Sequence, residues 1–137
     1  MWWIYALLSA FFAALTAILA KVGIKGVNTD LATAIRTVVI LIVAWGLVFW
    51  RGGIDPSTTL SRHNWLFLIL SGVATGLSWI FYFKALQLGK VSQVAPVDKL
   101  SVAIAIMLSI VFLGEALTWK TAIGAILIIG GTVVLIL

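Results

Sequence analysis

The sequence predicts an all-α integral membrane protein, a bundle of five transmembrane helices. Five apolar stretches fill the 137 residues almost from end to end, and each is close to the ~20 residues that a helix needs to cross a hydrocarbon core of ~30 Å. Hydrophobic residues make up 64% of the chain and charged residues 9%, which is more apolar surface than a soluble fold can bury. Helices satisfy their own backbone hydrogen bonds, so they are the expected spans. The predicted helices cover residues 3–23, 31–50, 65–86, 92–113 and 119–137.

The links between these stretches are short, so we expect one transmembrane domain over residues 1–137, with successive helices antiparallel. The longest link, residues 51–64, contains a Gly-Gly and an Asp-Pro pair, both typical of turns. The first stretch begins without basic residues and is longer than a signal-peptide core, so we interpret it as a retained helix. Trp50 and Trp65, at predicted helix ends, fit the membrane interface.

Composition argues against several classes of function. The chain has no cysteine, which excludes disulfides, thiol catalysis and Cys-ligated metals, and its single histidine, His63, has no partner for a metal site. No motif for hydrolysis or phosphate binding is present, so we expect no enzymatic activity, no catalytic residues and no cofactor. The net charge of +5 is attributed to Lys and Arg that anchor to lipid head groups, not to nucleic-acid binding.

Basic residues are divided almost evenly between the two ends of the bundle. Side A is the side of the N-terminus and of the links after the second and fourth helices; side B is the opposite side. Arg51, Arg62 and Lys120 lie on side A, and Lys21, Lys25 and Lys90 lie on side B, a tie under the positive-inside rule. Residues a turn or two inside the helices, Arg36, Lys84 and Lys99, shift the balance towards a cytoplasmic side B and an N-terminus outside. Such a small bias leaves room for a chain that inserts in both orientations.

Four segments of the second half carry a resemblance to a known family. They are residues 83–89 (FKALQLG), 94–97 (VAPV), 113–118 (LGEALT) and 124–131 (GAILIIGG). Together they resemble the EamA domain of the drug/metabolite transporter superfamily, with the link at 113–118 as the most specific piece. The resemblance implies that five helices are half of a ten-helix inverted-repeat plan, and that members export metabolites, amino acids or drugs.

The chain also shows a distant likeness to the small multidrug resistance transporters. That branch dimerises through glycines seven residues apart in its last helix, and Gly124 and Gly131 have this spacing. The branch relies on a glutamate in its first helix, and residues 3–23 contain no acid, so its proton-coupling mechanism is not carried over. For Gly124 and Gly131, a contact within the chain and a dimer seam both remain open.

Ionisable residues inside a membrane are costly and therefore candidate functional residues. Those near side B are Lys21, Arg36, Lys84, Asp98 and Lys99. Asp98 is the candidate for a protonatable coupling group, because it is the only acid within a predicted helix away from its ends. Arg36 is the candidate anion ligand, because a guanidinium offers a bidentate fork. An ion pair between Lys84 and Asp98 is geometrically open.

A structural role for the same residues is the alternative. The lysines can extend to the head groups, and Asp98 can sit near a helix N-terminus if Pro96 marks the first turn of the fourth helix. If that helix begins at Ser92 instead, Pro96 kinks it and frees the Ser92 carbonyl.

Small, polar and aromatic residues at helical spacing mark faces for packing or for a cavity. In the third helix, Ser78, Trp79 and Tyr82 form the most cavity-like face, and its rings are suited to an apolar or cationic group. Gly72 and Gly76 form a GxxxG pair for helix packing.

The leading functional hypothesis is a secondary transporter or exporter of a small metabolite or xenobiotic, working by alternating access as an antiparallel, dual-topology homodimer. The alternative is an accessory or heteromeric membrane subunit, either half of a lipid-carrier flippase or the partner of another five-helix chain. The expected partners are a second copy or a related subunit, a small-molecule substrate and the lipid bilayer. The expected location is a bacterial-type inner cell membrane.

Overall fold

The computed structural model describes residues 1–54 and 59–137, and all regular secondary structure in these ranges is helical. Its helices are α1 (Trp2–Gly23), α2 (Thr29–Trp50), α3 (Arg62–Leu88), α4 (Val91–Asp98), α5 (Leu100–Leu113) and α6 (Trp119–Ile136). In the described ranges, α4 and α5 together form one apolar segment, Val91–Leu113, and with the other four helices this gives five segments long and apolar enough to cross a membrane. The predicted fold class is confirmed.

Local capping explains where the helices begin and end. The Asn28 side chain accepts hydrogen bonds from the backbone N–H groups of Asp30 (2.8 Å) and Leu31 (3.2 Å), which starts α2. The Thr118 hydroxyl accepts one from the Thr121 N–H (3.2 Å) and starts α6. Gly114 ends α5 with φ 67°, a left-handed conformation that favours glycine. The turn predicted at the Asp-Pro pair of the long link lies outside the described residues.

Two helix boundaries differ from the sequence prediction for identifiable reasons. Helix α3 begins at Arg62, not at residue 65, because the Ser61 hydroxyl accepts a hydrogen bond from the Asn64 N–H (3.1 Å) and caps a polar first turn. The fourth span begins at Val91 and is interrupted at Lys99, so it consists of two helices. Pro96 therefore lies inside α4, which is the second of the two alternatives left open by the sequence.

The chain divides into two compact units, Met1–Ile18 with Leu88–Leu137, and Leu19–Gln87. In the first, which we call unit 1, α6 packs against α4 and α5, with Ala103 and Thr132 buried. In the second, unit 2, the buried residues include Ile24, which directly follows α1, and Phe83 and Leu86, which lie near the side-B end of α3.

Most of the apolar surface of the helices is not covered by the chain itself. Only 6–11% of the most apolar part of each span is buried inside the protein. The exposed residues are those that lipid tails or another apolar helix would contact, which is the inverse of a soluble core. The multi-pass membrane location follows from this pattern.

Candidate functional site

Unit 2 holds Arg36 of α2 against the rings of two residues of α3. The Arg36 Cζ lies 4.5 Å from the ring centroid of Phe83 and 5.3 Å from that of Trp79. The two aromatic residues are four apart and share one face of α3. Phe83 is 1% exposed, so the cation stacks on a ring that is fixed in the core of its unit. This is a cation–π arrangement strengthened by the low dielectric of its surroundings.

The Arg36 guanidinium lacks a hydrogen-bond acceptor at one of its nitrogens. Its Nη1 is buried and has no partner among the described residues. Two hydroxyls of α2 bond within their own helix: Thr33 donates to the Thr29 carbonyl (2.8 Å) and Thr37 donates to the Thr33 carbonyl (2.9 Å). A buried donor on a cation without an acceptor costs free energy, which makes this nitrogen a candidate for binding an acceptor.

The depth of the cluster separates it from an ordinary anchoring arginine. Arg36 lies seven residues inside the first residue of α2, about 10 Å along the helix axis. Phe83 and Trp79 lie five and nine residues before the last residue of α3, about 7 Å and 13 Å inside its side-B end. The guanidinium therefore lies level with these two rings, inside the ends of both helices.

The other predicted residues of unit 2 surround this cluster in different ways. Tyr82 is half-buried and its ring lies 5.9 Å from that of Phe83, whereas Ser78 and Lys84 are exposed. The structure thus brings together Arg36, Trp79 and Tyr82 of the predicted site. Phe83 was missed by sequence reasoning, and its position four residues after Trp79 was the available signal.

Lys21 and Gln87 close the side-B end of unit 2. The Lys21 ammonium donates to the carbonyl of Leu86, a fully buried residue at the end of α3. The Gln87 amide donates to the carbonyls of Val27 (3.0 Å) and Ile24 (3.5 Å) in the link between α1 and α2. The bond to Leu86 satisfies an acceptor that the last turn of α3 leaves unpaired, and the bonds from Gln87 satisfy acceptors of the link. Lys21 has this structural role, and substrate binding by Lys21 stays a prediction.

In unit 1, Asp98 lies at the break between α4 and α5. Its carboxylate forms an ion pair with the Lys99 ammonium (3.3 Å), and both side chains are partly exposed, by 35% and 56%. Asp98 is the last residue of α4, and Lys99 separates it from Leu100, the first residue of α5, so Asp98 does not lie in the first turn of α4. Lys84 belongs to the other unit, and an ion pair between it and Asp98 stays a prediction.

The same break has a partner in α6 that the sequence analysis did not single out. The Thr132 side chain is 4% exposed, and its hydroxyl lies 2.8 Å from the Ile128 carbonyl and 3.2 Å from the Pro96 carbonyl. A hydroxyl has one hydrogen, so the bond is shared between a carbonyl of its own helix and one of α4. Thr132 carries the only hydroxyl in residues 122–137, and this was the signal that could have found it.

Predicted packing residues occupy open positions. A Cβ added at Gly72, Gly76, Gly124 or Gly131 would have no heavy atom of the described residues within 4 Å. Close packing within the chain and a seam with a second chain both stay predictions for these glycines.

An open groove of about 380 Å³ lies at the start of α3, lined by Leu60, His63, Asn64, Phe67 and Leu68. The His63 ring lies 4.5 Å from the Phe67 ring. Phe67 is twelve residues before Trp79, about 18 Å along the helix, so this groove is separate from the Arg36 cluster.

Comparisons with known proteins place this geometry in context. The model of the EamA-like transporter family matches residues 1–137. The chain is similar to an uncharacterized transporter in the cobO 3′ region of a Sinorhizobium species, 48% identical over 134 residues, which cover 98% of this chain and 95% of that protein. It is also similar to the uncharacterized transporter YxxF of Bacillus subtilis (strain 168), 27% identical over 129 residues, 93% of this chain and 40% of that protein. No solved structure matches the chain.

Proposed function

Because this chain belongs to the EamA-like transporter family, we propose that it is a secondary transporter of a small metabolite or xenobiotic that works by alternating access as an antiparallel homodimer. Membership of the family and five apolar helical segments make it a multi-pass membrane transporter. The cell membrane of a bacterial-type cell is the proposed location. The mode of assembly and the class of transported compound are the parts that we propose.

The main support for a dimer is the chain length of the relatives. The Sinorhizobium transporter is matched over 95% of its length, so it has the size of one such domain. YxxF is matched over only 40%, which leaves more than half of that longer protein unmatched, enough for a second domain of the same size. Inverted-repeat transporters place their site between two inverted halves, and two oppositely inserted copies of one domain reproduce that plan.

The positions of the basic side chains support insertion in both orientations. Lys21 is hydrogen-bonded to the Leu86 carbonyl, Arg36 is stacked on aromatic rings, and Lys99 is paired with Asp98. The remaining side-B cations are Lys25, Lys84 and Lys90, against Arg51, Arg62 and Lys120 on side A. Equal numbers of cations at the two ends give no strong preference under the positive-inside rule.

The exposed surface of the helices supports a contact with a second chain. Few residues of each span are buried by the chain itself, and Gly124 and Gly131 of α6 have open space beside them. Glycines with open space let another helix approach closely in a membrane, where association depends on van der Waals packing.

Two-sided topology mapping tests the proposal, and the absence of native cysteine makes it clean. A cysteine is placed at Thr59 in the side-A link, and separately after Leu137 on side B, and intact cells are labelled with a membrane-impermeant thiol reagent. We expect partial labelling at both positions, completed after permeabilisation. Labelling that is all-or-none and opposite at the two positions would overturn the antiparallel homodimer and favour a partner of another five-helix chain.

A further inference from the structure

We propose that Arg36, stacked on Trp79 and Phe83, binds the carboxylate of the transported compound, so that the cargo is a small organic anion. The inference rests on the proposed transport function and adds to it a substrate class. It follows from three observations: the unpartnered nitrogen of Arg36, the supply of acids in the chain, and the way the rings hold the guanidinium.

The first observation concerns the acceptor that Arg36 lacks. Arginine stays charged at any physiological pH, so it cannot relieve its burial by losing a proton. Its Nη1 is buried without a hydrogen-bond partner in the part of the chain that the structure describes. A ligand that brings two acceptor oxygens would satisfy that nitrogen and add a charge-assisted bond, which is about twice as strong as a neutral one.

The second observation is that no acid among the residues 1–54 and 59–137 is seen in an ion pair with Arg36. It has four acidic residues in 137. Asp98 is paired with Lys99, and Glu115 lies in the side-A link. Asp30 precedes Arg36 by six residues on the same helix, which places it about 9 Å along the axis and about 120° around it. Asp55, in the long side-A link, is outside the described residues.

The third observation is that the aromatic contacts of Arg36 use no hydrogen-bond acceptor. The ring centroids lie 4.5 Å and 5.3 Å from Cζ, and such cation–π contacts do not occupy the N–H donors that a planar acceptor would bind. A carboxylate matches those donors in a bidentate pair. The sequence had left an apolar or cationic ligand open for the Trp79 ring. Arg36 itself takes the role of the cation there, so a positively charged cargo would be repelled.

Binding to the full chain in detergent micelles tests the inference, measured calorimetrically with three carboxylate probes: acetate, hexanoate and benzoate. Benzamide and benzylammonium are the neutral and cationic counterparts of benzoate. We expect saturable binding of at least one carboxylate and at least tenfold weaker binding of both counterparts. A wild type that binds none of the three carboxylates, or that binds benzamide as tightly as benzoate, would overturn the proposal.

Three variants assign that binding to Arg36. Arg36→Gln removes the charge and should weaken carboxylate binding at least tenfold. Arg36→Lys keeps the charge without the bidentate fork and should give an intermediate loss, which keeps the test informative if the Gln variant fails to fold. Arg51→Gln, an exposed side-A residue, is the matched control and should leave binding unchanged. Unchanged affinity in the folded Lys variant together with unchanged affinity in the Gln variant would refute the assignment.

This measurement needs neither a gradient nor a defined orientation in the membrane. Carboxylate binding with single-orientation labelling would reject the antiparallel homodimer and keep the Arg36 site. Partial labelling at both positions without carboxylate binding would keep the antiparallel homodimer and reject the Arg36 site.

Discussion

Phe83 links the stability of the protein to its candidate site, because the same ring is buried in unit 2 and supports Arg36. It is 1% exposed, and its ring centroid is 4.5 Å from the Arg36 Cζ. Rings that hold a cation by its face limit how that cation can turn. The position of the guanidinium therefore depends on packing in α3 as well as on α2.

Replacement of Phe83 by leucine should measure this support. Phe83→Leu keeps an apolar side chain but removes the ring face, so we expect the free energy of unfolding in detergent to fall by about 1–2 kcal/mol. Phe81→Leu is the matched control, because Phe81 is on the same helix and is 68% exposed. Equal losses of stability in the two variants would show that the stacking on Arg36 contributes nothing.

At the scale of the helices, the break between α4 and α5 is tied to α6 by Thr132. Pro96 has no N–H, so it cannot donate to the Ser92 carbonyl four residues earlier. The Pro96 carbonyl in turn lies within reach of the buried Thr132 hydroxyl, 3.2 Å away. A proline inside a span is tolerated when neighbouring hydroxyls pair with carbonyls near it.

Thr132→Val should therefore destabilise the protein, because it removes a bond between two helices. A hydroxyl that bonds only within its own helix makes no such bond. We expect Thr132→Val to lower the free energy of unfolding by about 0.5–1.5 kcal/mol, the net value of one hydrogen bond. Thr75→Val is the control, because the Thr75 hydroxyl is exposed and also bonds the carbonyl four residues earlier (2.9 Å), with no second helix involved. Equal effects in thermal unfolding would mean that the bond to α4 adds no stability.

The same elements show which parts of the structure could be predicted from sequence. Length and hydropathy were enough for five spans, since a bilayer requires long apolar helices whatever their side-chain order. They did not locate the break at Lys99, because proline is compatible both with a first turn and with a kink. The choice depends on where the helix begins, and Lys90, which precedes α4, gives no side-chain cap to signal it.

Side-chain partners were less predictable than helices for a similar reason. Arg36 and Trp79 were both candidates, yet their contact and that with Phe83 depend on how α2 and α3 are aligned. The hydropathy of the sequence does not determine how the two helices are aligned. The acceptor of Lys21 is a backbone carbonyl of Leu86, and every residue offers one, so no side-chain pattern could indicate it.

For the whole molecule, the balance of basic residues decides how the chain inserts, and through that how two copies can meet. Lys21, Arg36 and Lys99 are engaged within the chain. Without them, each side of the bundle has three cations. A small number of substitutions should then be sufficient to fix one orientation. An antiparallel dimer needs both orientations, so a fixed orientation should abolish it.

Two charge variants test this dependence. Arg51→Gln with Arg62→Gln should hold side B in the cytoplasm, and Lys25→Gln with Lys90→Gln should hold side A there. We expect the cysteine at Thr59 to be labelled all-or-none, with opposite results in the two variants. Neither variant should form dimers alone, measured by chemical cross-linking in intact membranes, whereas co-expression of differently tagged copies should recover a mixed cross-linked dimer by pull-down.

Arg51→Lys with Arg62→Lys keeps the charge and serves as the matched control, which should insert in both orientations like the wild type. The antiparallel assembly requires that the two fixed-orientation variants dimerise with each other, because each orientation supplies one inverted half. If either fixed-orientation variant dimerised alone as well as the wild type does, the two copies would have to be parallel. The Arg36 clusters of the two copies would then lie at the same membrane depth and both near side B, so a single cargo crossing from side to side would meet them together, not in turn.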